Sequence, residues 1–300
     1  MQEAPSLSSQ ACGKCVLFGE HSILYGSSAL ALPLKNLRLQ ISFKAAENEK
    51  LILEGKENFP NSEEIFWKLL KKDFSDVPYK GEYIIRSQIP LGAGLGSSAA
   101  LSVALHRLHR PHLSQAELIE RSWQSENHFH GKSSGMDPCT IATEKSLCFK
   151  NIHEFETLND NFLKDENYVF VLVDSTIRRS ALSGISMGQK LKEENPILWE
   201  NILKELQVLA LEGKDYFENC LAEKLGQAMN KAHELLKQWG LSHPELEKNR
   251  DLLLANNALG AKLTGAGRGG FLISIFERRS WLTFKARQDS SRTCFIELRT

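Results

Sequence analysis

Short apolar runs fill the first third of the chain. Residues 13–18 (GKCVLF), 29–34, 37–44 and 82–86 are apolar or β-branched and are broken by Gly, Asn and Pro, which predicts strands. The period then changes. A helix is predicted from near Ser97 through AALSVALHRL, ending before Pro111. A second begins at Ser114, where Ser-x-x-Glu117 makes a capping box, and runs to about His130 ahead of Gly131. Residues 168–174 (YVFVLVD) read as a buried strand. Beyond them, 185–239 carries apolar residues three and four apart, among them Leu203, Leu206, Val208 and Leu209, which predicts long helices. The segment 259–276 returns to a Gly-rich turn and a strand, FLISIF. The change of texture places a boundary between 155 and 168, giving a mixed α/β chain with domains over 1–165 and 166–300.

Composition narrows the function classes. A 300-residue chain that is 42% hydrophobic and 25% charged has the make-up of a globular protein with ample core material. Lys plus Arg and Asp plus Glu both number 37, so the formal net charge is zero. That balance argues against a nucleic-acid binder or an anionic-membrane protein held by bulk charge, while allowing a local basic pocket for a small phosphate. The longest apolar runs are about six residues, far short of the roughly 18–20 that a bilayer needs. The start, MQEAPSLSSQ, lacks a positive region followed by an apolar stretch, so no secretory signal is expected. Six cysteines are too sparse for a disulfide scaffold, and a reduced, cytoplasmic protein is expected.

Several motifs bear on chemistry. Cys12-Gly13-Lys14-Cys15 has redox or half-zinc spacing, but Val-Leu-Phe continues it as a strand where a redox pair opens a helix, and no second pair follows. Coincidence is the simpler reading. Residues 91–98 (LGAGLGSS) alternate three glycines before a predicted helix, so backbone N–H groups and the helix dipole converge on one anion, and Ser97 or Ser98 can cap the helix or meet Mg²⁺. No Gly-Lys-Ser/Thr follows, so this is not a Walker A loop. A second cluster, Thr264 to Gly270, contains G-x-G-x-x-G but precedes a strand, which is wrong for a dinucleotide site. Alone it means a tight turn; beside the first loop it could line the same cleft. Between the two lie Glu126 and Asp137, one carboxylate suited to a metal ion and one to a reacting hydroxyl. His128 and His130 cannot share a helical face and read as packing or hydrogen-bonding residues, while His106, His109 and His112 read as a solvated helix end and loop.

Four segments together resemble the GHMP small-molecule kinases, most of all their mevalonate kinase branch. They are 11–26 (ACGKCVLFGEHSILYG), 90–100 (PLGAGLGSSAA), 126–138 (ENHFHGKSSGMDP) and 262–270 (KLTGAGRGG), spread over nearly the whole chain. Galactokinases tend to follow Gly-Glu-His with Thr-Asp, where this chain has Ser22-Ile23, and homoserine kinases generally lack the aspartate matched by Asp137.

The resemblance implies two domains, the first like domain 2 of ribosomal protein S5 and the second ferredoxin-like, with ATP and substrate between them. It implies phosphorylation of the C5 hydroxyl of (R)-mevalonate. Gly92, Ala93, Gly94, Leu95, Gly96, Ser97 and Ser98 would wrap the triphosphate, with Gly265 and Gly267 closing over it. Ser98 and Glu126 would hold Mg²⁺. Asp137 would take the hydroxyl proton beside Lys14, and Glu20, His21, Ser134 and Thr264 would serve the substrate. Partners would be mevalonate and ATP, with no nucleic acid or membrane, and a homodimer is allowed. Alternatives are another sugar or metabolite kinase of the superfamily, or a catalytically silent ATP-binding regulator, against which Lys14, Glu126 and Asp137 all speak. Departures from the family pattern are Cys12 and Ser133 in place of Pro, Arg268 in place of Gly, and Ala181 where a Thr is usual.

Overall fold

Two long antiparallel strands, β1 (Leu7–Phe18) and β2 (Ala29–Ala45), form the spine of the N-terminal half, joined through a 3₁₀ turn at Ser22–Tyr25. The computed structural model describes residues 7–54, 62–130, 133–178, 182–288 and 294–298. The expectation of two strands over 29–34 and 37–44 is corrected: there is one. Cys12 pairs with Arg38 and the next residue, Gly13, with Leu34, so residues 35–37 bulge away from β1 without ending the strand.

The other edge of β2 is shared. β3 (Lys50–Glu54) runs parallel to β4 (Gly81–Ser87), which pairs with Leu39–Ala45 of β2. β5 (Leu147–Asn151) takes Ala29–Ala31 and forms a hairpin with β6 (Glu154–Thr157). Helices α1 (Ser62–Asp73), α2 (Ser97–His109), α3 (Gln115–His130) and α4 (Met136–Thr143) pack on this sheet and on one another. The α3 capping box forms as expected: Ser114 N–H donates to Glu117 Oε2 at 2.8 Å, and Glu117 N–H to Ser114 Oγ at 3.3 Å. Because α2 lies between the sheet and α3, the solvated reading of its histidines is also corrected. His106 is 1% exposed, accepts from Arg110 Nη1 at 3.1 Å and meets Ser125 Oγ at 3.0 Å, while His109 bonds Tyr83 at 2.9 Å. His112 alone of the three is exposed.

After α5 (Asn161–Lys164), β7 (Tyr168–Asp174) opens a second sheet with β8 (Ala258–Thr264), β9 (Phe271–Glu277) and β10 (Phe295–Glu297), all antiparallel in the order β10-β7-β9-β8. Helices α6 (Leu182–Glu194), α7 (Pro196–Glu218), α8 (Ala222–Gln238), α9 (Pro244–Ala255) and α10 (Arg278–Lys285) complete this half. Asn195 caps α7 by accepting from Leu198 N, with Pro196 in the first turn where no N–H is needed. Trp199, Ile202, Leu206, Leu209 and Phe217 face the core, whereas Val208 turns outward, 46% exposed. At Gly213 a Cβ would come within 2.5 Å of the Phe18 ring, so α7 lies directly against the end of β1. Among the described residues, no helix is long and apolar enough to cross a membrane.

Candidate functional site

The buried stretch of β1 brings Lys14, 3% exposed, to the mouth of the first Gly loop. Lys14 N–H donates to Leu95 O at 3.0 Å, which pins the strand to the loop. Gly92, Gly94 and Gly96 all have positive φ (65°, 79° and 77°), the alternation that turns successive N–H groups to one side. Gly96 caps α2 with no side-chain hydrogen bond, and the positive end of the helix dipole faces the loop. Ala93 and Leu95 are buried beneath the loop, and Ser97 and Ser98 open the helix half-buried.

Three ionisable groups converge beside it. Lys14 Nζ lies 3.0 Å from Asp137 Oδ2 and donates to Gly94 O at 2.9 Å. Asp137 sits in the first turn of α4, after Gly135, where the helix dipole favours a negative charge. Pro138 is tolerated there because first-turn N–H groups lack helical partners. Glu126, on α3, is 3% exposed and accepts from Ser133 Oγ at 2.5 Å. Burial, and next the nearby Asp137 carboxylate, push the Glu126 carboxyl up to about 8. Two neighbouring acids, Glu126 buried and reluctant to ionise and Asp137 part-exposed, make a place for a cation. Ser134 Oγ accepts from Met136 N at 3.3 Å, shaping the turn that presents Asp137.

The second Gly cluster closes on the first. A Cβ at Gly265 would meet Gly94 O at 3.0 Å, and one at Gly270 would meet Ala93 O at 2.8 Å, so the two loops touch through backbone. Thr264 is buried, and its hydroxyl both accepts from Val16 N and donates to Val16 O, each at 2.8 Å. It ties β8 to β1, two residues beyond Lys14. His21 Nε2 donates to Ala266 O at 2.9 Å, and burial lowers the pKa of this ring. Glu20 is buried and ion-paired with Lys262.

Residues 63–145 match the model of the GHMP kinases N terminal domain, and residues 216–280 that of the GHMP kinases C terminal. A mevalonate kinase of Pyrococcus horikoshii is 32% identical over 294 residues, spanning 87% of this chain and 86% of the relative. The chain belongs to the GHMP kinase family, among its mevalonate kinases. The Methanococcus jannaschii mevalonate kinase structure agrees with a TM-score of 0.78 at 25% identity, covering 100% of this chain and 99% of that one. The fold is also that of the L. major mevalonate kinase in complex with R-mevalonate, with a TM-score of 0.80 at 20% identity over 97% and 95% of the two chains.

As a GHMP kinase this is an ATP-dependent enzyme, and its departures from the family pattern have visible places. Cys12 and Cys15 are buried on β1, and burial pushes both thiols up to about 12, so neither is a ready thiolate for redox or metal chemistry. Ser133 stands where the family has Pro and supplies the hydroxyl on Glu126. Arg268 takes a positive φ of 58°, and its Nη1 reaches Met187 Sδ on α6 at 2.9 Å. Ala181 lies outside the described residues, as do Gly131 and Lys132 of the third segment. Two participants went unrecognised in the sequence. Ser133 was visible there only as a departure. Lys262 is the single charge within the otherwise apolar strand ALGAKLT, and a charge at a buried strand position requires a partner.

Proposed function

We propose that this kinase transfers the γ-phosphoryl group of ATP to the C5 hydroxyl of (R)-mevalonate, forming 5-phosphomevalonate for isoprenoid precursor synthesis. The Lys14–Asp137 contact at the mouth of the glycine loop supports this reading most directly. The N–H groups of 92–98 and the α2 dipole bind the triphosphate. Asp137 receives the hydroxyl proton or holds the hydroxyl in line, because a loose transition state asks chiefly for positioning and charge stabilisation. Lys14 orients Asp137 and neutralises charge developing on the transferring group. His21 and Ser134 border the alcohol side. Thr264 and Glu20 act from behind, their polar atoms engaged with Val16 and Lys262.

The residues fit a magnesium ion. Glu126 and Ser98 are hard oxygen donors, and the buried Glu126 carboxyl gains from any cation that offsets its burial. Among the described residues, no group of three or more His, Cys, Asp or Glu side chains is placed to hold a metal. When bound, Mg²⁺ would neutralise charge on the nucleotide phosphates.

ATP-dependent ADP release with (R)-mevalonate, run beside galactose, homoserine and phosphomevalonate, tests the reading. Turnover confined to mevalonate is expected. Turnover on another alcohol would keep the phosphoryl chemistry and replace the substrate, and silence on all four with measurable ATP binding would favour a regulator.

A further inference from the structure

Among the described strands, β8 is an edge of its sheet, so its outward main-chain groups have no neighbouring strand. Side chains satisfy them instead. Asn230 Nδ2 donates to Leu259 O at 3.2 Å, and its Oδ1 accepts from Ala261 N at 3.1 Å. Arg250 Nε donates to Ala261 O at 3.0 Å, His233 Nδ1 accepts from Leu263 N at 3.1 Å, and Lys262 Nζ donates to Leu263 O at 2.7 Å. An acceptor at Nδ1 requires the His233 proton on Nε2, which donates to Glu247 Oε1 at 2.8 Å. The register of β8 against α8 and α9 is thereby set residue by residue.

The same strand grips the end of β1 and the turn beyond it, both just after Lys14. Thr264 Oγ1 engages both main-chain atoms of Val16, and Lys262 Nζ pairs with Glu20 Oε1. The Lys262 and Glu20 side chains are 0% and 1% exposed, so the pair stands in water-free surroundings. Burial alone disfavours the charge on each, raising the Glu20 pKa and lowering that of Lys262, and each charge offsets the burial of the other. Lys14 lies just before this gripped segment, with Asp137 on one side and Gly94 O on the other. A slide of β1 along β8 would carry the ammonium off both.

We propose that Lys262 is a positioning residue for phosphoryl transfer: through Glu20, and together with Thr264 through Val16, it holds the Lys14 segment of β1 where the ammonium bridges Asp137 and the Gly94 carbonyl. This rests on the assignment of Lys14 and Asp137 to the transfer. A lysine that only balanced a buried charge would affect stability and leave turnover per folded molecule untouched.

Lys262→Met tests it, with kcat, KM for ATP and the thermal midpoint measured beside the parent enzyme. The expected kcat loss is about 10²-fold, the scale of an ångström-sized misplacement, with KM for ATP within about threefold because the glycine loop is intact. An unchanged kcat with a lowered midpoint would overturn the proposal. Should Lys262→Met not fold, His233→Asn and His233→Leu decide. Asn keeps an acceptor for Leu263 N–H and Leu removes it, so the Leu variant should lose kcat about tenfold or more while Asn retains most of it. Equal kcat in those two variants would sink the idea. Each ratio is taken on whichever alcohol the parent phosphorylates, so a parent silent with mevalonate strikes the substrate reading and leaves the ratio measurable. A parent whose turnover survives Asp137→Ala strikes the assignment beneath it.

Discussion

Lys14 Nζ stands 3.0 Å from Asp137 Oδ2 while donating to Gly94 O at 2.9 Å, so one ammonium couples the carboxylate to the loop proposed to hold phosphate. Removing the carboxylate should leave the fold intact, because Asp137 is at the cleft surface with its side chain 24% exposed. Asp137→Ala is expected to lower kcat by on the order of 10²–10⁴. A folded variant with near-parent turnover would remove Asp137 from the mechanism.

Glu126 trades stability for function. Its carboxyl is buried, forced up to about 8 by burial and by Asp137, and held by Ser133. Glu126→Gln removes the ionisable group at nearly constant volume. Without nucleotide the thermal midpoint should hold or rise, whereas the Mg²⁺ needed for half-maximal rate should increase about 10- to 100-fold. A Mg²⁺ requirement equal to the parent's would take Glu126 out of the metal site.

Gly96 has a φ of +77°, and a Cβ there would lie 3.0 Å from Lys14 Cγ and 3.1 Å from Ile141 Cδ1. Gly96→Ala should therefore cost about 1–2 kcal/mol of stability from the backbone alone. It should also push on Lys14, so kcat falls and KM for ATP rises together. Chemical unfolding and steady-state kinetics on the same preparation measure both, and an Ala variant matching the parent in each would show that neither the conformation nor the contact matters.

The acid limb of stability follows from two buried histidines. Burial pushes His106 down to about 3 and His233 down to about 4, from 6.5. Unfolded, both take up a proton as pH falls through about 6.5, while folded they stay neutral until far lower. His109, lowered to about 4, adds a third such proton, while Glu126, which keeps its proton to about 8 when folded, takes one back between about pH 4.5 and 8. Stability therefore declines on acidification below about pH 6.5, by about 3 kcal/mol per pH unit for a net two extra protons on the unfolded chain, and eases off as pH rises from neutral toward about 8. Glu247, held down to about 2 against 4.5, adds its own loss only below about pH 4.5. Urea midpoints from pH 8 to 5 report this directly, and a flat profile would show that these imidazoles are not buried neutral.

Much of the site was legible because its chemistry is local in sequence. Alternating glycines before a helix, a lone lysine after Gly13 and the Ser-Gly-Met-Asp turn each carry their meaning within a few residues. What escaped is tertiary. The 29–45 strand looked broken because Pro33 and Asn36 interrupt its pattern, yet a register shift at Cys12 absorbs the interruption. His106 and His109 looked solvated because they stand at the polar end of their helix, yet Ser125 of α3 covers the first and Tyr83 of β4 the second. Thr264 places its hydroxyl on Val16, a residue 248 positions away, a contact that its own motif does not reveal. The grip of β8 on β1 joins opposite ends of the chain, and no window of sequence contains it.

The most direct measurement is the position of the phosphate in the product. Parent enzyme, Mg²⁺·ATP and (R)-mevalonate are incubated, and the product is read by ³¹P–¹H correlation NMR, with Asp137→Ala alongside. The expected product is a phosphomonoester coupled to the C5 methylene protons, formed at least about 10²-fold more slowly by the variant. Free phosphate alone, a phosphate on another carbon, or equal rates in the two proteins would contradict that expectation.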